Sequence, residues 1–309
     1  TMVRSAVGDT SAFSISVGLH QWLHQGSALS LFAIFVDELT KYVQEDVPWC
    51  MLFANNIVLV DDTKEGVNAK LELWREALES RGFRISRTKT EYMECNFSKT
   101  QHPQTQVVSL DGQQLEKSAH FRYLGSMFQA EGEIDVDVTH RVKAGWAKWR
   151  SASGVLCDTR MPLRLKGKFY RTAVRLAILC GTECWVIKTQ QTNKMKVAEM
   201  RMLRWMCGKT RKDRIRNEKI REMVQVAPIE DKIRENRLIW FGHVQRRPLD
   251  APVRKSDTID IIGHPRGRGR PKLTLVELIR KDMSLGGLTT EMTLDRKEWR
   301  KKIHVADPT

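Results

Sequence analysis

Three groups of residues have types and spacings that could do chemistry. His20 and His24 stand four apart, as do Cys180 and Cys184, the separation at which one helix presents two metal ligands together. Neither pair has further ligands at zinc-finger distance, so both read as weak candidates for zinc. The run Arg266-Gly267-Arg268-Gly269-Arg270-Pro271-Lys272 concentrates cations in an extended, glycine-rich segment suited to phosphate or a narrow groove. The stretch Cys50 to Asp62, CMLFANNIVLVDD, sets Asn55 and Asn56 between two apolar runs and ends on Asp61 and Asp62. A carboxylate there could hold a hard cation, whereas an Asn offers one neutral carbonyl oxygen. No Ser-His-Asp set, Walker loop or G-x-G-x-x-G is visible.

The elements that must position these residues follow from periodicity. Met51–Phe53 and Ile57–Val60 read as two buried strands, with Asn55 and Asn56 at the tip of the hairpin between them, because Asn tolerates the left-handed backbone of a primed turn. Helical spacing of apolar residues predicts a helix over Leu29 to Val43, entered at Gly26 and Ser27, and another over Gly66 to Ser80, stopped by Gly82. Short strands are expected at Arg84–Ser86, Glu91–Cys95, Gln106–Leu110 and Tyr123–Phe128, with a turn at Asp111-Gly112. This order implies an α+β fold with one sheet backed by helices. Beyond Ile134 the pattern is helical: about Val138 to Ala152, a helix opened by Pro162 and running to Leu179, Asn193 to Cys207, then 213–224 and 229–246. A Gly/Pro/Arg linker at 263–272 precedes two last helical stretches, 273–285 and 290–304.

The chain has 309 residues, enough for a real core and about two domains. No run of eighteen apolar residues and no signal-peptide pattern occur, which excludes a membrane span by hydropathy, and the N-terminus reads as that of a fragment. Six scattered cysteines, most in apolar stretches, read as buried free thiols of a reduced intracellular protein, nuclear or cytoplasmic. The net charge of +15 is unevenly placed. Residues 1–140 carry 12 Lys and Arg against 19 Asp and Glu; residues 141–309 carry 40 against 18. A polyanion, nucleic acid above all, is the expected partner of the second part. Trp146, Trp149, Trp205 and Trp240 lie among its basic residues; core packing is the expected role, and an exposed one could stack on a base.

Several motifs taken in order resemble the reverse transcriptase of LINE-type (non-LTR) retrotransposons, especially those of plants. In LHQGSALS, Gln25, Gly26, Ser27 and Ser30 match the segment before the helix that backs the family's nucleotide site. In MLFANNIVLV, Phe53 and Ala54 match the F-A-D-D hairpin, but Asn55 and Asn56 replace its two metal-binding aspartates. SRTKTEYMEC (86–95) is similar to the next motif, with Lys89 as the lysine near the incoming triphosphate. FRYLGSMF (121–128) resembles the hairpin that grips the primer end, through Tyr123, Leu124 and Gly125. ILCGTECW (178–185), LIWFGHVQRRP (238–248), RGRGRPK (266–272) and DRKEWRKKI (295–303) resemble the helical region after the palm. Departures are the local duplication LHQW-LHQG (19–26), Leu31 where the family has Pro, and Thr274-Leu275 where it often has Thr-Trp.

The resemblance implies a partial polymerase palm over 1–133, a basic, mostly helical thumb-like region over 134–262, and an Arg/Gly linker with C-terminal helices over 263–309. It implies RNA-directed DNA polymerisation with Mg²⁺ in active relatives, and RNA and DNA as partners, whether RNA–DNA hybrid or duplex. In this chain catalysis is expected to be lost and no Mg²⁺ bound. At about 4 Å and an effective dielectric near 20, two unit charges interact by about 4 kcal/mol, and a divalent ion roughly doubles that. With about 1.4 kcal/mol per tenfold in rate, losing even one carboxylate costs several orders of magnitude. The family's third aspartate is expected to lie before Thr1, and Asp61 and Asp62, at the far end of the second strand, are poor substitutes. The alternative is a non-enzymatic DNA- or RNA-binding module, in which Arg266, Arg268, Arg270 and Lys272 act as an AT-hook-like segment.

Overall fold

A computed structural model describes residues 36–45, 50–53, 56–95, 107–254 and 273–308. It is a mixture of helices and small antiparallel ladders, an α+β composition. The chain divides into two compact units, one running to Phe121 and the other starting at Arg122.

In the first unit, β1 (Cys50–Phe53) and β2 (Asn56–Leu59) pair antiparallel, with Cys50 opposite Leu59 and Phe53 opposite Asn56. Helix α1 (Lys64–Glu79) follows at once. Thr63 caps it, its hydroxyl accepting from the Gly66 N–H at 3.0 Å, which satisfies a donor the first turn leaves open. Trp74 and Leu78, one turn apart, bury against Val36 and Cys50, with Ile57 and Leu59 alongside. Leu71 turns toward Val108, Leu110 and Leu115. A fully buried Trp side chain removes enough apolar area to contribute on the order of 4–6 kcal/mol, so this helix face is what seats the hairpin.

The expected single sheet is absent among the described residues, which hold three separate two-stranded ladders. Strands β3 (Ser109–Leu110) and β4 (Gln113–Gln114) flank Asp111 and Gly112, both at positive φ, as a primed turn requires. The helix substitutes for a neighbouring strand: the Asn68 side chain donates to the Val107 carbonyl and accepts from the Ser109 N–H, both at 3.0 Å. Arg84–Ser86 is not a strand, and Glu91–Cys95 keeps only a bridge from Tyr92 to Lys117. The expected strand over Tyr123–Phe128 is a hairpin, β5 (His120–Tyr123) and β6 (Ser126–Gln129), because Leu124 and Gly125 take positive φ and reverse the chain.

The second unit is helical. Helix α2 (Asp135–Ser151) and the short α3 (Ser153–Leu156) lead to Pro162, which opens α4 (Leu163–Phe169). A π turn at Tyr170–Val174 joins α4 to α5 (Arg175–Leu179). The extra residue in that turn leaves Tyr170, Val174 and Ile178, all fully buried, on one core-facing stripe. Against this stripe pack α6 (Thr189–Met206), α7 (Asn217–Val224) and α8 (Ile229–Gln245), around a core rich in Met and Ile. A smaller cluster joins Leu238 of α8 to α9 (Leu275–Leu285) and α10 (Arg296–Ile303) through Ile279, Met283 and Trp299. Thr274 and Glu277 form a reciprocal cap at the start of α9, and Asp295 accepts from two N–H groups at the start of α10.

The thiol expectation fails: only Cys50 is buried, whereas Cys95, Cys157, Cys180 and Cys184 are exposed, the last three in tight turns at or just beyond helix ends where the chain leaves the core. All six are free. No helix among the described residues is long and apolar enough to cross a membrane. The start of the helix expected over Leu29–Val43 and the linker at 263–272 lie outside the described residues.

Candidate nucleic-acid interface

Asn56 begins β2 opposite Phe53, so it is a strand residue, one place beyond the tip expected for it. The register decides this, since the four cross-strand pairs run from Cys50–Leu59 to Phe53–Asn56. Its side chain is exposed. Asp61, the nearest described carboxylate after the hairpin, is committed elsewhere. It accepts from the Thr63 N–H at 3.0 Å and pairs with Lys70 at 2.9 Å, and these contacts hold its carboxyl below the usual range. Gly66 makes room for it, because a Cβ there would lie 2.1 Å from the Asp61 Oδ1. Lys89 ends the 3₁₀ turn Arg87–Lys89 and is exposed. Gln25, Gly26, Ser27, Ala54 and Asn55 lie outside the described residues, as do Arg266, Arg268, Arg270 and Lys272.

The hairpin β5–β6 gathers two of the noted motifs around one cation. Arg141 of α2 donates from Nη2 to the Ser126 hydroxyl at 2.9 Å and lies 3.7 Å from Asp137 one turn earlier. Asp137 accepts from the Met127 N–H at 3.0 Å, while Gln129 accepts from the Val136 N–H at 2.9 Å. Gly181, at φ +81°, closes the other side: a Cβ there would come within 3.0 Å of the Ser126 hydroxyl and 3.3 Å of Arg141 Nη2. Tyr123, Leu124 and Gly125 are thereby set on a hairpin pinned along β6, from Ser126 beside the turn to Gln129, with Leu124 about half exposed at 53%.

Two further surfaces of this unit combine rings and cations. Trp146 and Trp149 of α2 meet Trp205 of α6, with ring centroids 5.4–5.7 Å apart. Trp149 is buried, Trp146 is half-buried, and Trp205, expected on the core face, is 54% exposed. The charge that takes its place inside is Glu199, which accepts from Tyr170 at 3.2 Å and pairs with Arg221 at 2.7 Å. Burial pushes the Glu199 carboxyl up, and Arg221 only partly counters it. At the other surface, a groove of about 680 Å³ between α8 and α10 is lined by Arg246, Arg247, Arg296 and Arg300 beside Trp240 and His243.

One curated protein resembles the chain. It is a Caenorhabditis elegans protein provisionally named as transposon-derived, 22% identical over 197 residues, which is 60% of this chain and 70% of that one. No family model matches. No solved structure matches. The likeness supports a transposon origin.

The groove arginines lie in LIWFGHVQRRP and DRKEWRKKI, two of the segments that carry the family resemblance noted above, although none of the four is among the binding residues expected from the sequence. Their spacing holds the signal: Arg296 and Arg300 stand four apart on one helix, and Arg246 and Arg247 directly follow the last residue of another. What sequence lacks is the crossing of the two helices. Gly242 sets it, since a Cβ would lie 2.4 Å from Trp299 Nε1, which donates to the Leu238 carbonyl at 3.0 Å.

Proposed function

We propose that the chain derives from the reverse transcriptase of a LINE-type retrotransposon, has lost polymerisation, and retains nucleic-acid binding through its basic helical unit. The observation that carries this reading is the hairpin of β1 and β2, an F-A-N-N sequence in which Asn56 opens β2 opposite Phe53. Mg²⁺ needs anionic oxygens, and the residues present do not fit it. Asn56 offers an amide, and Asp61 is held by Lys70 and Thr63. The transposon-derived relative supports the origin, and the excess of 40 basic over 18 acidic residues beyond position 140 supports polyanion binding.

Primer extension on an RNA template tests the first half, and salt-dependent binding the second. No extension is expected with Mg²⁺ or Mn²⁺, together with tighter binding of an RNA–DNA hybrid than of plain duplex. Robust extension by the purified chain refutes the loss of catalysis. Preference for A·T-rich duplex, abolished in the variant Arg268→Ala/Arg270→Ala, would favour a plain DNA-binding module instead.

A further inference from the structure

We infer that the arginine groove between α8 and α10 binds the phosphodiester backbone of single-stranded nucleic acid, with Trp240 and His243 stacking on an unpaired base. The inference rests on the nucleic-acid reading above and names its site. Four guanidinium groups line the groove, and Glu183 is the one carboxylate among its walls. Among the described residues, none of the four arginines has a carboxylate within ion-pair distance. Other arginines of the unit do, as Arg221 pairs with Glu199, Arg237 with Asp282, and Arg175 with Asp307.

This clustering works against the free protein. Burial, and then the positive charges of Arg296 and Arg300, lower the pKa of Arg246. Its Nη1 donates to the Thr293 carbonyl at 2.7 Å, which fixes the guanidinium without neutralising it. Arg247 likewise donates from Nε to His243 Nε2, at 3.4 Å, and not to a carboxylate. A phosphate would relieve the repulsion and accept the remaining fork of donors, a geometry that arginine suits.

The rings decide between strand types. Trp240 and His243 lie 5.5 Å apart at an interplanar angle of 23°, a flat pair one turn apart on α8 beside the arginines. Bases in a duplex have their faces covered by neighbours, so only an unpaired base can lie on such a pair. A groove of about 680 Å³ has room for a nucleotide unit.

Binding of a fluorescein-labelled oligothymidylate to the full chain, followed by anisotropy across a salt series, tests this. Arg296→Ala/Arg300→Ala removes two exposed cations of the groove without touching Trp299. Arg164→Ala/Lys168→Ala removes the same charge from an exposed face of α4. The groove variant should bind about tenfold or more weakly, its log-log salt slope shallower by about 1.4 for two lost phosphate contacts on a single strand. The control should lose less than about threefold. Trp240→Phe, which keeps a ring, should retain more affinity than Trp240→Ala, and a duplex of equal charge should bind more weakly than the single strand.

Equal losses in the groove and control variants would overturn the inference, leaving diffuse attraction to the basic unit. Competition by polyglutamate as strong as by oligothymidylate of equal charge would overturn it in favour of an acidic protein partner. Competition by thymidine monophosphate at matched phosphate concentration would reduce the site to one for free nucleotides. If the wild-type chain binds no nucleic acid at all, the functional reading itself fails.

Discussion

Asp307 reaches back from the C-terminal stretch to accept from Arg175 Nη2 at 3.1 Å and from the Ala227 N–H at 2.9 Å. Arg171 stands 3.3 Å from its other oxygen. The Ala227 carbonyl accepts from both Arg175 and Arg221, so one carboxylate ties the π turn to the joint between α7 and α8. Burial alone would raise the Asp307 carboxyl, but the Ala227 bond and the two arginines outweigh it and hold the group below its ordinary value of 3.8. A depressed carboxylate contributes stability that is present above its unfolded pKa and lost as pH falls through the folded one. Asp307→Asn should therefore destabilise the second unit at neutral pH and flatten the loss of stability below about pH 4. Because the carboxylate is partly exposed, the cost at pH 7 should be about 1–2 kcal/mol. Urea melts at pH 7 and pH 3 check both, and a pH 3 difference as large as that at pH 7 would remove the role assigned to its charge.

Two glycines of the helical unit should respond oppositely to alanine. A Cβ at Gly167 would fall 1.7 Å from the Val224 carbonyl oxygen, a backbone atom that cannot step aside without moving α7. Gly154, in α3, faces open space. Gly167→Ala should lose about 3 kcal/mol through overpacking, despite the better helix propensity of Ala. Gly154→Ala should gain up to about 1 kcal/mol. Thermal melts of the two variants decide this, and similar midpoints would mean that α4 and α7 are not in close contact.

The buried tryptophans differ in what their N–H groups find. Trp299 Nε1 donates to Leu238, whereas Trp149 Nε1 has no partner among the described residues. Both lose ring area on replacement by Phe, but only Trp299→Phe also breaks a hydrogen bond, one that the Leu238 carbonyl accepts from outside its own helix. Trp299→Phe should cost about 1 kcal/mol more than Trp149→Phe. Chemical denaturation measures the difference, and equal costs would show that Trp149 is in fact satisfied.

Much of the helical unit was legible because its signals are local. Pro162 and Pro228 immediately precede helices, and Gly208 at φ +62° follows one. The Asp111-Gly112 turn was legible for the same reason. The failures are contacts at long range. Trp205 and Glu199 both lie on α6, and apolar periodicity puts the first inside and the second outside. The structure reverses them, because Arg221 and Tyr170 arrive from other helices to satisfy Glu199. The arginine groove is unreadable for a related reason: it exists only where α8 crosses α10 at Gly242. In the first unit, alternation suggested strands that the backbone declines to pair, since the Asn68 side chain already satisfies the amide and carbonyl beside β3.

Leu124 is the residue most at odds with its place. At φ +50° it occupies the first position of a two-residue turn that favours Asn, and its apolar side chain is about half exposed. Left-handed backbone costs a branched residue on the order of 1–3 kcal/mol, and exposure returns little to offset it. Leu124→Asn, which makes the turn Asn-Gly, should therefore stabilise the chain by about 1 kcal/mol. If Leu124 serves the primer-gripping hairpin that the surrounding YLGS sequence resembles, the same variant should bind an RNA–DNA hybrid several-fold more weakly, separating stability from binding. A gain in melting temperature with unchanged hybrid affinity would remove Leu124 from the interface. A loss of stability would show that the tip of the hairpin carries no such strain.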